Sequence, residues 1–489
     1  MHDTTPHTGT GPGQLPSPST VIAVHVDYVS RARQRGRTPS TPSYFLKSVG
    51  SLSRTGEPVA RPAGTELLGF EGEIALVIGS RAHRVPLAEA WSHVGAVTAA
   101  NDVGLYDYRT ADKGSNVRSK SRDGFTPLGP ELIDARTVDP TALRVRTWLN
   151  GTLVQEGRTG DEDLLFPLPQ LVADLSQHLT LEPGDVILTG TPAGAGVAVP
   201  GDVLEVEVDA PDTPGHPTSG RLRTPVTEGP GDFDPALGAL PHVDDRQRED
   251  AWGDRAAAGL DAADRGLRAA FDGLPTAGVS AELRRRGIDR CVVEGVRPLT
   301  AGRGFVGVAR TLRFLPGRED LVSARGGGYN AQKRAFDALR EGEVLVIDAG
   351  EDPTAGTLGD VLALRARHLG AAGVVTDGGV RDSAAVAATG LPVFTRTPHP
   401  AVLSRRHVPW DADLPVACGG TTVVPGDIVL GDDDGVVVVP RDIAADVARV
   451  AAEKERQDAW VAARVAEGNP VDGLFPPTGR WAEAWERER

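Results

Sequence analysis

The sequence predicts an α+β chain of two ordered regions, the first β-rich and the second built of α/β layers. Three observations carry this. Up to about residue 228, strand-like alternation of apolar and polar residues dominates. From Pro230 to about Trp252 the chain is rich in Pro, Gly and Asp without sustained periodicity, as linkers are. Beyond about Ala256, apolar strand-like runs alternate with helical segments, the pattern of α/β layers. A length of 489 residues fits two or three domains.

In the first region, VIAVHVDYV from Val21 and EGEIALVIG from Glu71 to Gly79 read as strands. So does ALRVRTWLNG, which ends on the turn pair Asn150-Gly151. LPQLVADLSQHLTL has helical spacing and runs into the turn and strand of PGDVILTGTP. A second Pro-Gly-Asp, Pro200 to Asp202, opens the strictly alternating DVLEVEV. In the second region the strands are CVVEGV, GFVGVART, GEVLVIDAG, AGVVTDGGV and VPGDIVLGDDDGVVVVP. Helices are expected near Ala256, over LGDVLALRARHLG, and from Arg441 to about Ala466. The expected division is a disordered lead at 1–20, a first domain at 21–228, a linker at 229–255 and a second domain at 256–489. No internal repeat is visible.

Net charge is −15, from 52 Lys and Arg against 67 Asp and Glu. Such a chain repels phosphate backbones and anionic lipid, so neither nucleic acid nor membrane is expected as a partner. The N-terminus lacks a basic segment followed by an apolar run, and no stretch approaches a membrane span, so a cytoplasmic protein is expected. Cys291 and Cys418 are too few for a disulfide framework and read as buried small residues. Aromatic residues are 5%, while Gly 59 and Pro 38 point to many turns.

Glu71 and Glu73 are two apart on an expected strand and so share a face. Alternating glutamates usually mark a solvent face. Two carboxylates held together instead suit a hard divalent cation, Mg²⁺ or Mn²⁺, and Asp102 is a candidate third ligand. The surrounding stretches are YFLKSVGSL, GFEGEIALVIG, ANDVGLYDY, KSRDGFTPLGP, LNGTLVQEGRT and LEPGDVILTGTPAGAG. In this order they resemble the fumarylacetoacetate hydrolase family over Val21 to Glu228. The resemblance implies that family's β-rich fold, with metal ligands at Glu71, Glu73 and Asp102. It implies substrate contacts at Lys120, Thr191 and Tyr108, with Lys120 catalytic. Lys120 to Gly124 and NGTLVQEGRT are most similar to members that isomerise and decarboxylate unsaturated 2-oxo and 2-hydroxy dicarboxylic acids in homoprotocatechuate breakdown. A 2-oxo acid chelates such a metal, which acts as a Lewis acid and stabilises an enolate, while Lys120 adds positive charge.

Two positions depart from the family pattern. Members often carry Tyr-x-x-His-x-x-Glu, where the His/Glu pair activates water, but Tyr28 is followed by Arg31 and Gln34. Neither is a competent base at neutral pH. Four residues after Asp102, where members often carry Arg, stands Tyr106. Both changes favour isomerisation or decarboxylation over hydrolysis.

The second region carries Asp377-Gly378-Gly379-Val380-Arg381-Asp382 after the strand GVVT. Arg381 offers a planar fork to a carboxylate, Asp382 could hold a metal, and Leu358-Gly359-Asp360 opens a helix whose free N–H groups suit an anion. A Gly-rich turn with a surface ion pair would look the same. Asp432 to Asp434 read as a solvated turn. GEVLVIDAG, TLGDVLALRARHLGAAGVVTDGGVRD, LPVF and VACGGTTVVPGDIVLGDDDGVVVVP resemble the RraA-like family, which includes 4-hydroxy-4-methyl-2-oxoglutarate aldolase. The resemblance implies an α/β/β/α, swivelling β/β/α domain, with Arg381 catalytic and pyruvate-binding, Gly359 and Asp360 binding substrate and Asp382 on the metal. Some members bind and inhibit a ribonuclease instead. The expectation is a homo-oligomeric, metal-dependent enzyme of aromatic catabolism with a second 2-oxo acid aldolase or decarboxylase site. The alternative is a C–C hydrolase of an acylpyruvate with a non-catalytic second domain.

Overall fold

The computed structural model describes residues 17–231 and 233–489, which fall into two compact units divided between Asp261 and Ala262. In the first unit a seven-stranded sheet runs Tyr44–Lys47, Val21–Val24, Val186–Leu188, Gly72–Ile78, Val94–Asn101, Thr126–Asp134, Leu52–Arg54. A five-stranded sheet runs Thr152–Arg158, Arg144–Leu149, Val203–Asp209, Leu222–Gly229, Val59–Pro62. Ile74, Leu76 and Val97 of the first sheet share one core with Val145, Val206 and Leu222 of the second. Helix Leu168–His178 adds Leu171, Val172 and Leu175 to it, the 3.6-residue spacing that its sequence shows. Each such fully buried leucine contributes about 1.5–3 kcal/mol of transfer free energy.

The opposite face of the seven-stranded sheet is buried as well, and its own side chains Ala23, Phe45, Ala75, Ala100 and Leu188 form a second apolar cluster there. All seven residues of Gly72–Ile78 are therefore buried, and neither face of the strand meets water.

The second unit is an eight-stranded sheet centred on the long strand Phe305–Pro316. Glu343–Asp348, Gly373–Thr376 and Val393–Thr395 follow it in parallel on one side. On the other side Ile428–Asp432 pairs antiparallel with it, and Gly435–Val439 pairs antiparallel with Ile428–Asp432. One face packs on helix Asp360–His368 through Ala363 and Ala366, and the 26-residue helix Arg441–Ala466 buries Ala444, Val447 and Ala451.

Three local expectations need correction. Residues 1–16 of the lead lie outside the described residues, but the N–H groups of Ser19 and Thr20 are held by Asp185 Oδ1 at 2.9 and 2.8 Å. The stretch at 229–255 is no bare linker: it contains helix Asp245–Trp252, opened by a capping box between Asp244 and Gln247. Asp432 is not simply solvated, because its carboxylate takes the N–H and hydroxyl of Thr276 at 2.8 and 2.7 Å. Both cysteines are buried. No helix among the described residues is long and apolar enough to cross a membrane.

Candidate functional site

Strand register assembles the acidic trio. Gly72 pairs with Asn101 and Glu73 with Ala100 across the antiparallel pair Gly72–Ile78 and Val94–Asn101. One step further, Asp102 N donates to Glu71 O at 2.8 Å, setting Glu71 opposite Asp102. Asn101 Oδ1 accepts from Glu71 N at 3.0 Å. One carboxylate oxygen from each of Glu71, Glu73 and Asp102 lies within 4.8 Å of the others, and the three side chains are buried. Gly72 between the glutamates has no room for a side chain, since a Cβ there would fall 1.9 Å from Thr147 Oγ1 of the five-stranded sheet.

Three cations meet these carboxylates. Lys120 Nζ bridges Glu71 Oε2 and Asp102 Oδ2. Lys47 Nζ pairs with Asp102 Oδ1 and also donates to Phe125 O at 3.0 Å. Arg31 Nη2 lies 3.3 Å from Glu71 Oε1. Burial opposes ionisation of Glu71, but Lys120, Arg31 and Arg35 outweigh it and hold the carboxyl well below its ordinary range. Glu73 has no such partner. Burial, then the charges of Asp102 and Glu71, push its carboxyl well above that range, and its Oε2 is met by Gly190 N at 2.8 Å. Burial pulls the Lys47 ammonium down, whereas Asp102 and Glu71 overcome burial at Lys120 and push it up.

This donor set fits a hard divalent cation. It supplies three convergent buried oxygens, one of them on a carboxylate that lacks a cationic partner. Lys120 would compete with such an ion for the carboxylates of Glu71 and Asp102.

The remaining first-unit residues divide. Thr191 lies beside the trio, but its hydroxyl donates to Gly72 O at 2.8 Å and accepts from Gln155 Nε2 at 2.8 Å. It is therefore already engaged and would have to exchange a bond to donate to substrate. Tyr108 packs among Val59, Phe125 and Leu204, under the Arg122 guanidinium at 5.1 Å. Its recorded contacts do not include the trio. Tyr106, at the position of the family arginine, donates its hydroxyl to Glu71 Oε1 at 2.9 Å. Arg31 and Gln34 are joined at 2.7 Å, a pair without a base. Lys47, Arg35 and Gln155 are site residues that the sequence reading did not assign, and Arg31, which it placed only as a departure from the family's His, is a partner of Glu71. For Lys47 a signal existed, because it sits inside YFLKSVGSL.

In the second unit the structure brings Gly359, Arg381 and Asp382 together. Arg381 N donates to Leu358 O at 2.9 Å, and a Cβ on Gly359 would lie 3.1 Å from Asp382 Oδ2. Gly356 gives passage to the Arg381 stem, since a Cβ there would meet Arg381 Cγ at 2.1 Å. Asp382 has φ +51°, a left-handed conformation that Asp tolerates better than most residues. Arg381 and Asp382 stand 3.9 Å apart, both partly exposed. Asp360 opens helix Asp360–His368, with Gly359 as its N-cap. Among the described residues, Glu71, Glu73 and Asp102 are the sole group of three such ligands, so Asp382 offers a single carboxylate.

The family model for the fumarylacetoacetate (FAA) hydrolase C-terminal domain matches residues 20–227, and that for Aldolase/RraA matches residues 276–438. A 4-hydroxyphenylacetate degradation bifunctional isomerase/decarboxylase of Salmonella dublin is 39% identical over 196 residues, 40% of this chain and 45% of that protein. The chain thus spans about half the length of the curated relatives that it matches first. An uncharacterized Archaeoglobus fulgidus protein is 37% identical over 39% of this chain and 75% of its own length. Among solved structures, 5-carboxymethyl-2-hydroxymuconate delta-isomerase from Mycobacterium smegmatis is 35% identical, covering 44% of this chain and 78% of that one, with a TM-score of 0.39. Streptomyces coelicolor RraAS2, described as an unusual member of the RNase ES inhibitor RraA protein family, is 34% identical over 40% and 96%, with a TM-score of 0.38. Through its first unit the chain belongs to the fumarylacetoacetate hydrolase family, and it carries an RraA-like domain in its second.

Proposed function

We propose that the first unit is a divalent-metal-dependent isomerase or decarboxylase of unsaturated 2-oxo and 2-hydroxy dicarboxylic acids, acting in aromatic-compound catabolism. The observation that carries this is the convergence of Glu71, Glu73 and Asp102 on one buried point, with Lys120 between them. The three carboxylates would hold Mg²⁺ or Mn²⁺, which supplies Lewis acidity toward a chelating 2-oxo acid.

The chain's own residues support bond reorganisation rather than water attack. Lys120 bridges Glu71 and Asp102, so a metal that takes up these oxygens leaves its ammonium to meet a substrate anion or developing enolate. Lys47 holds Asp102, and Arg31 and Tyr106 hold Glu71, which fixes the direction of the ligands. Hydrolysis needs a base to activate water, and Arg31 and Gln34 provide none. Decarboxylation needs only an electron sink and a later proton, and the site is rich in donors.

The second unit would supply a second site for a 2-oxo acid, of aldolase or decarboxylase type. There the Arg381 fork and the Gly359–Asp360 helix start would take a carboxylate, and Asp382 would take the metal. Both sites would act on small 2-oxo acids, in a cytoplasmic homo-oligomer. The test is turnover by the purified full chain with Mg²⁺ or Mn²⁺, using an unsaturated seven-carbon oxo-diacid and, separately, oxaloacetate. Absence of turnover by a folded, metal-loaded protein would overturn the reading.

A further inference from the structure

The family match ends at residue 227, yet the first compact unit continues to Asp261. In the added stretch, helix Asp245–Trp252 buries only Gln247 and Ala251, too little apolar surface to explain its docking by burial alone. Several of its polar contacts are directed toward the acidic site. Gln247 Nε2 donates to Tyr106 O at 3.1 Å, and Ala251 packs with Leu67, Tyr106 and Val197. Asp250 holds Arg35 twice, through Oδ1 at 3.1 Å and through its carbonyl oxygen at 3.3 Å. Arg35 Nη2 donates to Tyr106 Oη at 3.2 Å, and Tyr106 Oη donates to Glu71 Oε1 at 2.9 Å. Asp250, Arg35, Tyr106 and Glu71 therefore form one continuous chain.

The helix end reaches the same carboxylate by a second route. Gly253 closes the helix at φ +83°, and a Cβ there would lie 2.4 Å from Gln34 Nε2 and 3.0 Å from Arg31 Nη1. Arg31 is itself paired with Glu71 Oε1. Arg31, which pairs with this oxygen, and Arg35, which reaches it only through Tyr106, thus both abut a segment outside the family match.

We infer that Gln247, Asp250 and Gly253 form a positioning strap that sets the orientation and charge balance of Glu71, and so the affinity of the trio for a divalent cation. This rests on the proposed metal role of Glu71. Asp250 offsets the Arg35 charge. Without it, an uncompensated guanidinium beside Tyr106 opposes a cation on Glu71, and Tyr106 loses its fixed partner.

The test is Mn²⁺ titration of the full-length protein followed by electron paramagnetic resonance, with thermal melting alongside. Asp250→Ala and Gly253→Ala are each expected to raise the Mn²⁺ Kd by about tenfold, the low end for a partner that orients a metal ligand, and Asp250→Glu to restore most of it. Arg248→Ala, on the same helix but paired with Glu66 at the surface, is expected to leave Kd unchanged. If Asp250→Ala does not fold, the near-isosteric Asp250→Asn takes its place. Unchanged Kd in the strap variants, with wild-type protein binding Mn²⁺, would overturn the strap alone. Failure of wild-type protein to bind Mn²⁺ would overturn the strap and the proposed metal site together.

Discussion

Glu73→Gln separates the cost of the acidic cluster from its use. Without metal, the Glu73 carboxylate faces Glu71 and Asp102 within 4.8 Å and has one polar contact of its own, Gly190 N. Two unit charges at that distance repel by roughly 3.5 kcal/mol at an effective dielectric of about 20. Lys120, the Gly190 amide and partial protonation of Glu73 itself offset much of this, leaving about 2 kcal/mol at neutral pH to be relieved by a neutral, isosteric amide that keeps the bond to Gly190. In a unit of this size that corresponds to roughly 4–8 °C in melting temperature. The metal-free variant should therefore melt above wild type in scanning calorimetry.

Saturating Mn²⁺ should reverse the order, since ligand at a hundredfold over Kd stabilises by about 2.7 kcal/mol and the variant loses a ligand. The sign of the pH effect follows from the raised carboxyl. Folding favours the protonated form, so the penalty is largest at neutral pH and above and fades as pH falls toward the ordinary glutamate value of about 4.3. The metal-free gap between variant and wild type should close over that same range. A variant that melts below wild type without metal, or that keeps the full Mn²⁺ rise, would refute the reasoning.

Lys120→Gln should lower kcat/KM on the unsaturated diacid by about a hundredfold or more, the usual effect of removing one charge-stabilising donor, as read by steady-state assay. Arg381→Ala and Asp382→Ala should abolish oxaloacetate turnover while the first-unit reaction persists, with melting nearly unchanged because both side chains are partly exposed. Unchanged oxaloacetate decarboxylation would remove the second site from the scheme. Asp27 is buried with its carboxyl pushed up to about 7, chiefly by burial and despite the amides of Phe166 and Leu165. Its contribution should make wild-type protein lose about 4 kcal/mol of stability between pH 4 and 7 and level off above. Asp27→Asn should flatten that slope in denaturant titrations.

Much of the fold was legible because its signals are local. The period-2 runs of the first region, the helix over LPQLVADLSQHLTL and most of the strand–helix alternation beyond Ala256 reappear as elements, but CVVEGV does not: it forms no strand, only a single bridge from Val292 to Val437. The site was legible only in part. The two-residue spacing of Glu71 and Glu73 put them on one face, but spacing could not tell a solvent face from a strand covered on both sides. Asp102 joins them through antiparallel register, a long-range fact that the residues alone offered only as a candidate and that family resemblance strengthened. The cations Lys47 and Arg31 come from separate segments, and nothing periodic marks them. Helix Asp245–Trp252 was hidden by its composition, being short, charged and flanked by Pro and Gly. Asp244-x-x-Gln247 was nevertheless a readable capping box.

Gly72 carries a consequence beyond its own packing. Because a Cβ at this position would collide with Thr147, the strand cannot slide along its neighbours or rotate to present another residue there. A one-residue slip would turn Glu71 and Glu73 to the opposite face. Occupancy by the proposed cation would therefore report on strand pairing: a molecule that captured the ion would have aligned these two strands correctly, and a misaligned one would be blind to it. Folding trajectories of this unit could be followed by the ion alone, with no dye or label attached to the chain.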